Sequence, residues 1–198
     1  MHFDVIIVGG GLAGLSLARA LRATRLSVAL IESCAPTPAP GWDARVYAIT
    51  PANADFLREL GSWQHLDATR LAPIKAMQVH GDSGGRLDFS AYDSGVAELG
   101  WMLESSLLAC ELWESARRQD RLTLLCPARP QALEFTPEAA CLTLADGRSL
   151  SARLVVGADG RDSWVRHSAG LRAEDTPYGE MGVVANFTCA RPHRGIAR

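Results

Sequence analysis

Residues 3–8, Phe-Asp-Val-Ile-Ile-Val, form an almost unbroken apolar and β-branched run. Such a run suits a strand covered on both faces in a parallel sheet. Glycines follow at once. From Leu12 to Ala23, leucines at Leu12, Leu15, Leu17 and Leu21 stand among alanines, with Arg19 and Arg22 as the charged positions. This spacing predicts a helix. Residues 27–31 return to a strand pattern. Strand, glycine turn, helix and strand in this order make a βαβ unit, whose crossover is right-handed and whose sheet is parallel.

The pattern then changes. Residues 35–41 are proline-rich and read as a loop, and Thr50-Pro51 reads as an N-cap with proline in the first turn of a helix that Gly61 ends. Alternation at residues 76–80 and 86–90, around a Gly/Ser/Asp cluster, predicts a hairpin and so an inserted antiparallel layer. Residues 105–119 read as a helix with Leu108, Leu112 and Trp113 on one side. Short strands are predicted at 122–125, 132–135 and 141–144, with Asp146-Gly147 as a tight turn, and residues 154–158 read as a buried strand ending at Asp159-Gly160.

The 198 residues are 47% hydrophobic and 21% charged, enough for a folded core and against disorder. A net charge of -2 offers no broad positive field, which disfavours a nucleic-acid partner. Cys34, Cys110, Cys126, Cys141 and Cys189 contain no C-x-x-C pair, so reduced thiols are expected and no zinc site or disulfide framework is suggested. His2, His65, His80, His167 and His193 form no metal-binding pair, and no metal is implied. The apolar stretch from Val5 to Ala18 falls short of the ~20 residues a membrane-spanning helix needs. Asp4 stands where a secretory signal would be basic. The expected location is the cytoplasm.

Gly9-Gly10-Gly11-Leu12-Ala13-Gly14 satisfies G-x-G-x-x-G between a predicted strand and a predicted helix. Here Gly9 permits the tight turn, Gly11 lets a pyrophosphate approach the backbone, and Gly14 lets helix and strand pack closely. The first-turn amides, including those of Leu12 and Ala13, meet the phosphates at the positive end of the helix. Glu32 ends the next strand, near the ~20-residue offset of a carboxylate that accepts ribose hydroxyls, and it argues against a 2′-phosphate. The adenosine so bound belongs to FAD or NAD. A purely structural glycine turn is the competing reading.

The second constellation is Gly157-Ala158-Asp159-Gly160-Arg161-Asp162-Ser163-Trp164-Val165-Arg166. Together with the glycine motif it resembles the FAD-dependent aromatic hydroxylase (flavoprotein monooxygenase) family, whose members carry G-x-G-x-x-G and a later G-A-D-G-x-x-S-x-V-R segment. Arg45, in Asp43-Ala44-Arg45-Val46-Tyr47, matches a third family position, an arginine that reaches the flavin. Gly100-Trp101-Met102-Leu103-Glu104 is similar to the branch that hydroxylates prenylated phenols in ubiquinone biosynthesis, although Ser105 stands where that branch has a longer polar or charged side chain.

The resemblance implies a Rossmann-like α/β FAD-binding domain with a parallel sheet, discontinuous over 1–72 and 100–170. Inserted antiparallel strands over 73–99 and 171–198 would begin a substrate domain. It implies bound FAD held by Gly9, Gly11, Leu12, Ala13, Gly14, Glu32, Arg45 and Asp159, and reduction by NAD(P)H. Dioxygen would then give a flavin C4a-hydroperoxide that hydroxylates a small aromatic ring, with peripheral contact at the inner membrane for a prenylated substrate. The family's fold continues past the position of Arg198, so the chain is expected to be the N-terminal part of such an enzyme. No side chain is assigned as nucleophile or general base, because the cofactor carries the reactive oxygen.

Bland readings stand beside these. Asp159 could be a turn or N-cap residue, and Arg45 a solvated or salt-bridged loop arginine. The five tryptophans suit packing as well as stacking. Gly81-Asp82-Ser83-Gly84-Gly85 spells the nucleophile segment of trypsin-like proteases, yet it sits between alternating strands and reads as a hairpin turn. The alternatives to a monooxygenase are a non-catalytic nucleotide-binding module and a flavin- or NAD-linked reductase.

Overall fold

A computed structural model describes residues Met1–Arg198. In chain order its elements are β1 (His2–Val8), α1 (Leu12–Ala20), β2 (Val28–Ile31), β3 (Val46–Ile49), α2 (Pro51–Glu59), β4 (Ala72–Ile74), β5 (Ala76–His80) and β6 (Arg86–Ser90). They continue with β7 (Gly100–Glu104), α3 (Ser105–Arg117), β8 (Leu122–Leu125), β9 (Pro130–Phe135), β10 (Ala140–Leu144), β11 (Ser149–Gly157), α4 (Trp164–Ser168) and β12 (Ile196–Ala197). They form two compact units, one of residues 1–37 and 109–180, the other of residues 38–108 and 181–198.

The first unit is built on a six-stranded sheet in the order β8-β2-β1-β11-β10-β9. β8, β2, β1 and β11 are parallel, and β10 and β9 extend the sheet antiparallel. Central β1 explains its own sequence. Ile6 and Ile7 are fully buried and Val5 and Val8 nearly so, as a strand covered on both faces requires. Leu15 and Ala18 of α1 are fully buried on its inner side. The predicted βαβ unit is present, with residues 21–23 continuing α1 as a 3-10 turn.

β11 departs from expectation. It starts at Ser149 rather than near Leu154, and its second half is open, with Leu154 53% exposed. The reason lies in its pairing. β10 accompanies β11 only as far as Ala152, whereas β1 follows it to Gly157, so residues 154–157 have a partner on one edge alone.

The second unit holds two three-stranded sheets, ordered β3-β7-β4 and β12-β5-β6. The hairpin β5/β6 pairs Ala76 with Ser90 through to His80 with Arg86. Thr50 caps α2 by accepting from the Asn53 amide at 3.3 Å, with Pro51 in the first turn. The strands β3, β4, β7 and β12 are not anticipated by the sequence reading. Three are four residues or shorter, and β4 carries Pro73 at a sheet edge, where a missing donor costs nothing. β7 is central, and Gly100 opens it because a Cβ there would press on the Ile49 carbonyl oxygen at 2.7 Å.

Candidate functional site

The ends of β1, β2 and β11 meet at the glycine loop. The Gly9 amide donates to the Ile31 carbonyl at 2.9 Å, and the Ala158 amide to the Val8 carbonyl at 2.7 Å. Gly9 has φ +109°, and any Cβ on it would overlap the Ala158 carbonyl. A Cβ on Gly14 would overlap the Gly9 carbonyl oxygen, and one on Gly10 would lie 2.9 Å from the Glu32 side chain. Packing therefore accounts for these three.

Gly11 differs from them. Its φ of -73° is open to every residue, and a Cβ there would meet no atom within 4 Å. Neither backbone strain nor internal packing asks for glycine, and the space beside it is open. Gly11 is also the N-cap of α1, with no side-chain cap and no acidic residue in the first turn. The first-turn amides at Leu12, Ala13 and Gly14 thus face outward at the positive end of the helix with no protein carboxylate supplied to them. That donor set suits a diphosphate.

Glu32 flanks the loop. Its Oε2 accepts from the Gly10 amide at 2.6 Å, and its Oε1 from the Ser33 hydroxyl at 2.9 Å and the Cys34 amide at 3.0 Å. Burial pushes this carboxyl up, but the bonds from Cys34, Gly10 and Ser33 outweigh it and hold the group below the usual glutamate range. It is ionised at neutral pH and accepts only, with lone pairs left for sugar hydroxyls. A crevice of about 260 Å³ is lined by Gly9, Glu32, Ser33, Asp159, Asp162 and Trp164, together with residues of β1, β2 and the 128–130 segment.

Asp159 lies in that crevice wall, yet its carboxylate is also spoken for locally. It accepts from the Ser163 hydroxyl at 2.5 Å and from the Val165 amide at 3.0 Å, while the Ser163 hydroxyl caps α4 by accepting from the Arg166 amide at 3.0 Å. Burial raises the Asp159 carboxyl, and the Ser163 and Val165 bonds more than reverse that. The N-cap of α4 is thus Ser163 and not Asp159, which supports the cap from behind and also stands beside Gly9 and Glu32 in the crevice wall.

Arg45 stands in the second unit, exposed at the start of β3, with no side-chain hydrogen bond or ion pair. The segment before it is held tightly. Asp43 accepts from the Arg45 amide at 2.9 Å and the Ser106 amide at 3.0 Å. Glu104, its side chain 4% exposed, accepts from the Asp43 amide at 2.6 Å and from Arg70 Nε and Nη2, each at 2.6 Å. Arg70 Nη2 also donates to the Gly41 carbonyl at 2.9 Å, and its guanidinium lies 4.1 Å from the centre of the Trp42 ring. The Arg70 hydrogen bonds hold the Glu104 carboxyl below its usual range against the opposing effect of burial, with help from the Asp43 amide. A cavity of about 580 Å³ lies against Trp42, Asp43, Arg70 and Glu104.

Sequence reasoning passed over Arg70 and the structural roles of Gly10, Asp43 and Glu104. Gly10 was visible as an extra glycine in the motif, but nothing in the sequence ties Arg70 to Glu104. The protease-like pentapeptide is an exposed hairpin turn, closed by the Gly81 amide on the Gly85 carbonyl at 2.8 Å, with Gly84 at φ +79°.

The chain is 39% identical over 198 residues to the ubiquinone hydroxylase UbiL of Rhodospirillum rubrum, covering 98% of this chain and 46% of that protein. It is 30% identical over 189 residues to the 3-demethoxyubiquinol 3-hydroxylase of Escherichia coli, covering 94% and 48%. The chain thus spans about half the length of these relatives. Among solved structures, Pseudomonas aeruginosa PqsL in complex with 2-aminobenzoylacetate matches with a TM-score of 0.74 at 28% identity, over 90% of this chain and 48% of that one. The flavin-dependent monooxygenase PieE, at 22% identity and a TM-score of 0.68 over 86% of this chain and 32% of its own, shares the fold. A family model described as an FAD binding domain matches residues 2–195, and the chain belongs to that family.

Proposed function

We propose that this chain holds FAD and is the N-terminal part of an FAD-dependent monooxygenase that hydroxylates an aromatic ring, a prenylated phenol of ubiquinone biosynthesis, using NAD(P)H and dioxygen. The observation that carries the reading is the open side of Gly11 at the uncapped start of α1, where neither strain nor packing requires the side chain to be missing. Its relatives in ubiquinone hydroxylation supply the substrate class. FAD when bound supplies the redox and oxygen chemistry, and the protein's share is placement, charge and exclusion of water.

In this reading, Gly9 sets the tight turn, and the backbone at Gly11 and the first-turn amides of Leu12, Ala13 and Gly14 receive the diphosphate. Glu32 accepts from the ribose hydroxyls. Asp159 fixes the wall of the crevice through Ser163 and Val165 and presents a fixed negative charge there. Arg45, exposed just before β3, supplies a cation to the cofactor. Residues 1–72 and 100–170 make up the FAD-binding domain, while 73–99 and 171–198 open a substrate domain. No helix is long and apolar enough to cross a membrane. A prenylated substrate would be met at the membrane surface.

Titrating FAD with the purified chain and following flavin fluorescence tests the reading. Saturable quenching is expected, and Gly11→Ala should weaken it by at least about tenfold while leaving the circular dichroism spectrum unchanged. No quenching, or equal affinity in Gly11→Ala, would overturn it. In the full-length protein, NAD(P)H oxidation accelerated by a phenol distinguishes a hydroxylase from a reductase.

A further inference from the structure

Two thiols that the nucleotide reading leaves unused lie beside Glu32. Both are free, Cys34 exposed and Cys126 half-buried. The sheet brings them together. β2 and β8 run parallel with Ile31 opposite Leu125, and the ladder continues as the Glu32 amide donates to the Leu125 carbonyl at 3.0 Å and the Ala128 amide to the Glu32 carbonyl at 2.8 Å. Cys126 is thereby held alongside Glu32. Cys34 follows two residues later, its amide on Glu32 Oε1.

Cys34 Sγ donates to the Ala35 carbonyl at 3.5 Å. Burial raises the Cys126 thiol first of all, and the neighbouring Glu32 carboxylate and Cys34 sulfur raise it further. Cys126 is therefore the shielded, protonated partner and Cys34 the accessible one.

We infer that Cys34 and Cys126 form a redox-responsive site that a small disulfide such as oxidised glutathione converts to an intramolecular disulfide, and that this closure weakens nucleotide binding at Glu32. The second half rests on the FAD reading above. The Cys34 thiolate attacks one sulfur of oxidised glutathione and releases the first glutathione thiolate. Cys126, giving up its proton to solvent, then attacks Cys34 Sγ and releases the second. One disulfide is reduced to two thiols while the protein dithiol is oxidised, so electrons and protons balance. The new bond needs the sulfurs about 2 Å apart, and Cys34 Sγ must leave the Ala35 carbonyl to reach that distance. The 33–35 turn moves with it, and that turn supplies the Ser33 and Cys34 donors that orient the Glu32 carboxylate.

The test is native incubation of the chain with oxidised glutathione, followed by peptide mapping without reduction and by FAD titration. A Cys34–Cys126 linked peptide is expected, with exposed Cys189 carrying glutathione instead. FAD affinity should fall at least about threefold, return with dithiothreitol, and stay constant in Cys126→Ser. Cys34 left glutathionylated without a link to Cys126, or a link with unchanged affinity, or an equal fall in Cys126→Ser, would overturn the inference. Failure of the reduced chain to take up FAD would instead sink the FAD reading, and the nucleotide half of this inference with it, whatever the peptide map shows.

Discussion

The glycine loop of the first unit and the Gly41–Arg45 segment of the second are both stretches of backbone held still, by opposite means. Around Gly9 and Gly14, side chains are deleted so that main chain can press on main chain, and the amides left over face outward. Around Asp43, a nearly buried carboxylate is placed between a guanidinium and a backbone amide, and the segment hangs from that ion pair. The first device leaves polar groups free for a ligand. The second uses them up, and the exposed Arg45 guanidinium adds its charge beside Asp43. A loop with open amides is therefore built by subtraction, and one that ends in an exposed charge is built by anchoring what precedes it.

The largest expected effect breaks the first device. Gly14→Ala would set a methyl group against the Gly9 carbonyl oxygen, and the helix-propensity gain of an alanine does not offset that overlap. A net loss of about 2–3 kcal/mol is expected in urea unfolding, whereas Gly11→Ala should stay within about 1 kcal/mol of the parent. Equal losses in the two variants would remove the distinction drawn between packing glycines and a ligand-facing one.

Glu104→Gln comes next and breaks the second device. The thermal midpoint should drop by several degrees and the 41–45 amides should lose hydrogen-exchange protection, with those of residues 9–14 unaffected. A pH signature accompanies it. Because the folded Glu104 pKa lies below its unfolded value, its contribution is complete above an ordinary glutamate pKa of about 4.3 and is lost as pH falls through the lower folded value. The difference in stability between parent and Glu104→Gln should therefore shrink as pH falls below that point. A difference that is flat from neutral pH into acid would show that the charge is not what holds the segment.

The smallest effect tests a local signal. Thr50→Ala removes the cap of α2 and should cost about 1 kcal/mol, read in the same urea series.

What could be read from the sequence follows the same division. The β1, α1 and β2 unit, the glycine loop, Glu32 and the cap at Thr50 are legible because their causes lie within a few residues or at a fixed offset. The hairpin around residue 83 is legible for the same reason, and its chemistry-like spelling is answered by the alternation that flanks it. The β3-β7-β4 sheet is not, since its strands are short and find their partners across the inserted hairpin. The partnership of Arg70 with Glu104 spans 34 positions and leaves no periodicity behind. Gly10 is an intermediate case, visible as a residue but explained only once Glu32 is seen beside it.

One strand sets the position of the acid that closes the crevice. β11 is bound in parallel to β1 along one edge and antiparallel to β10 along the other, through Ser149–Ala152. Sliding it by a single residue would turn every side chain to the opposite face and would have to undo two ladders of opposite polarity at once. Asp159, two positions beyond the last matched pair of Val8 with Gly157, is thus indexed to the glycine loop by the weave of the sheet. Changes of length in the turns around it, at Asp146-Gly147 for example, would leave that alignment intact.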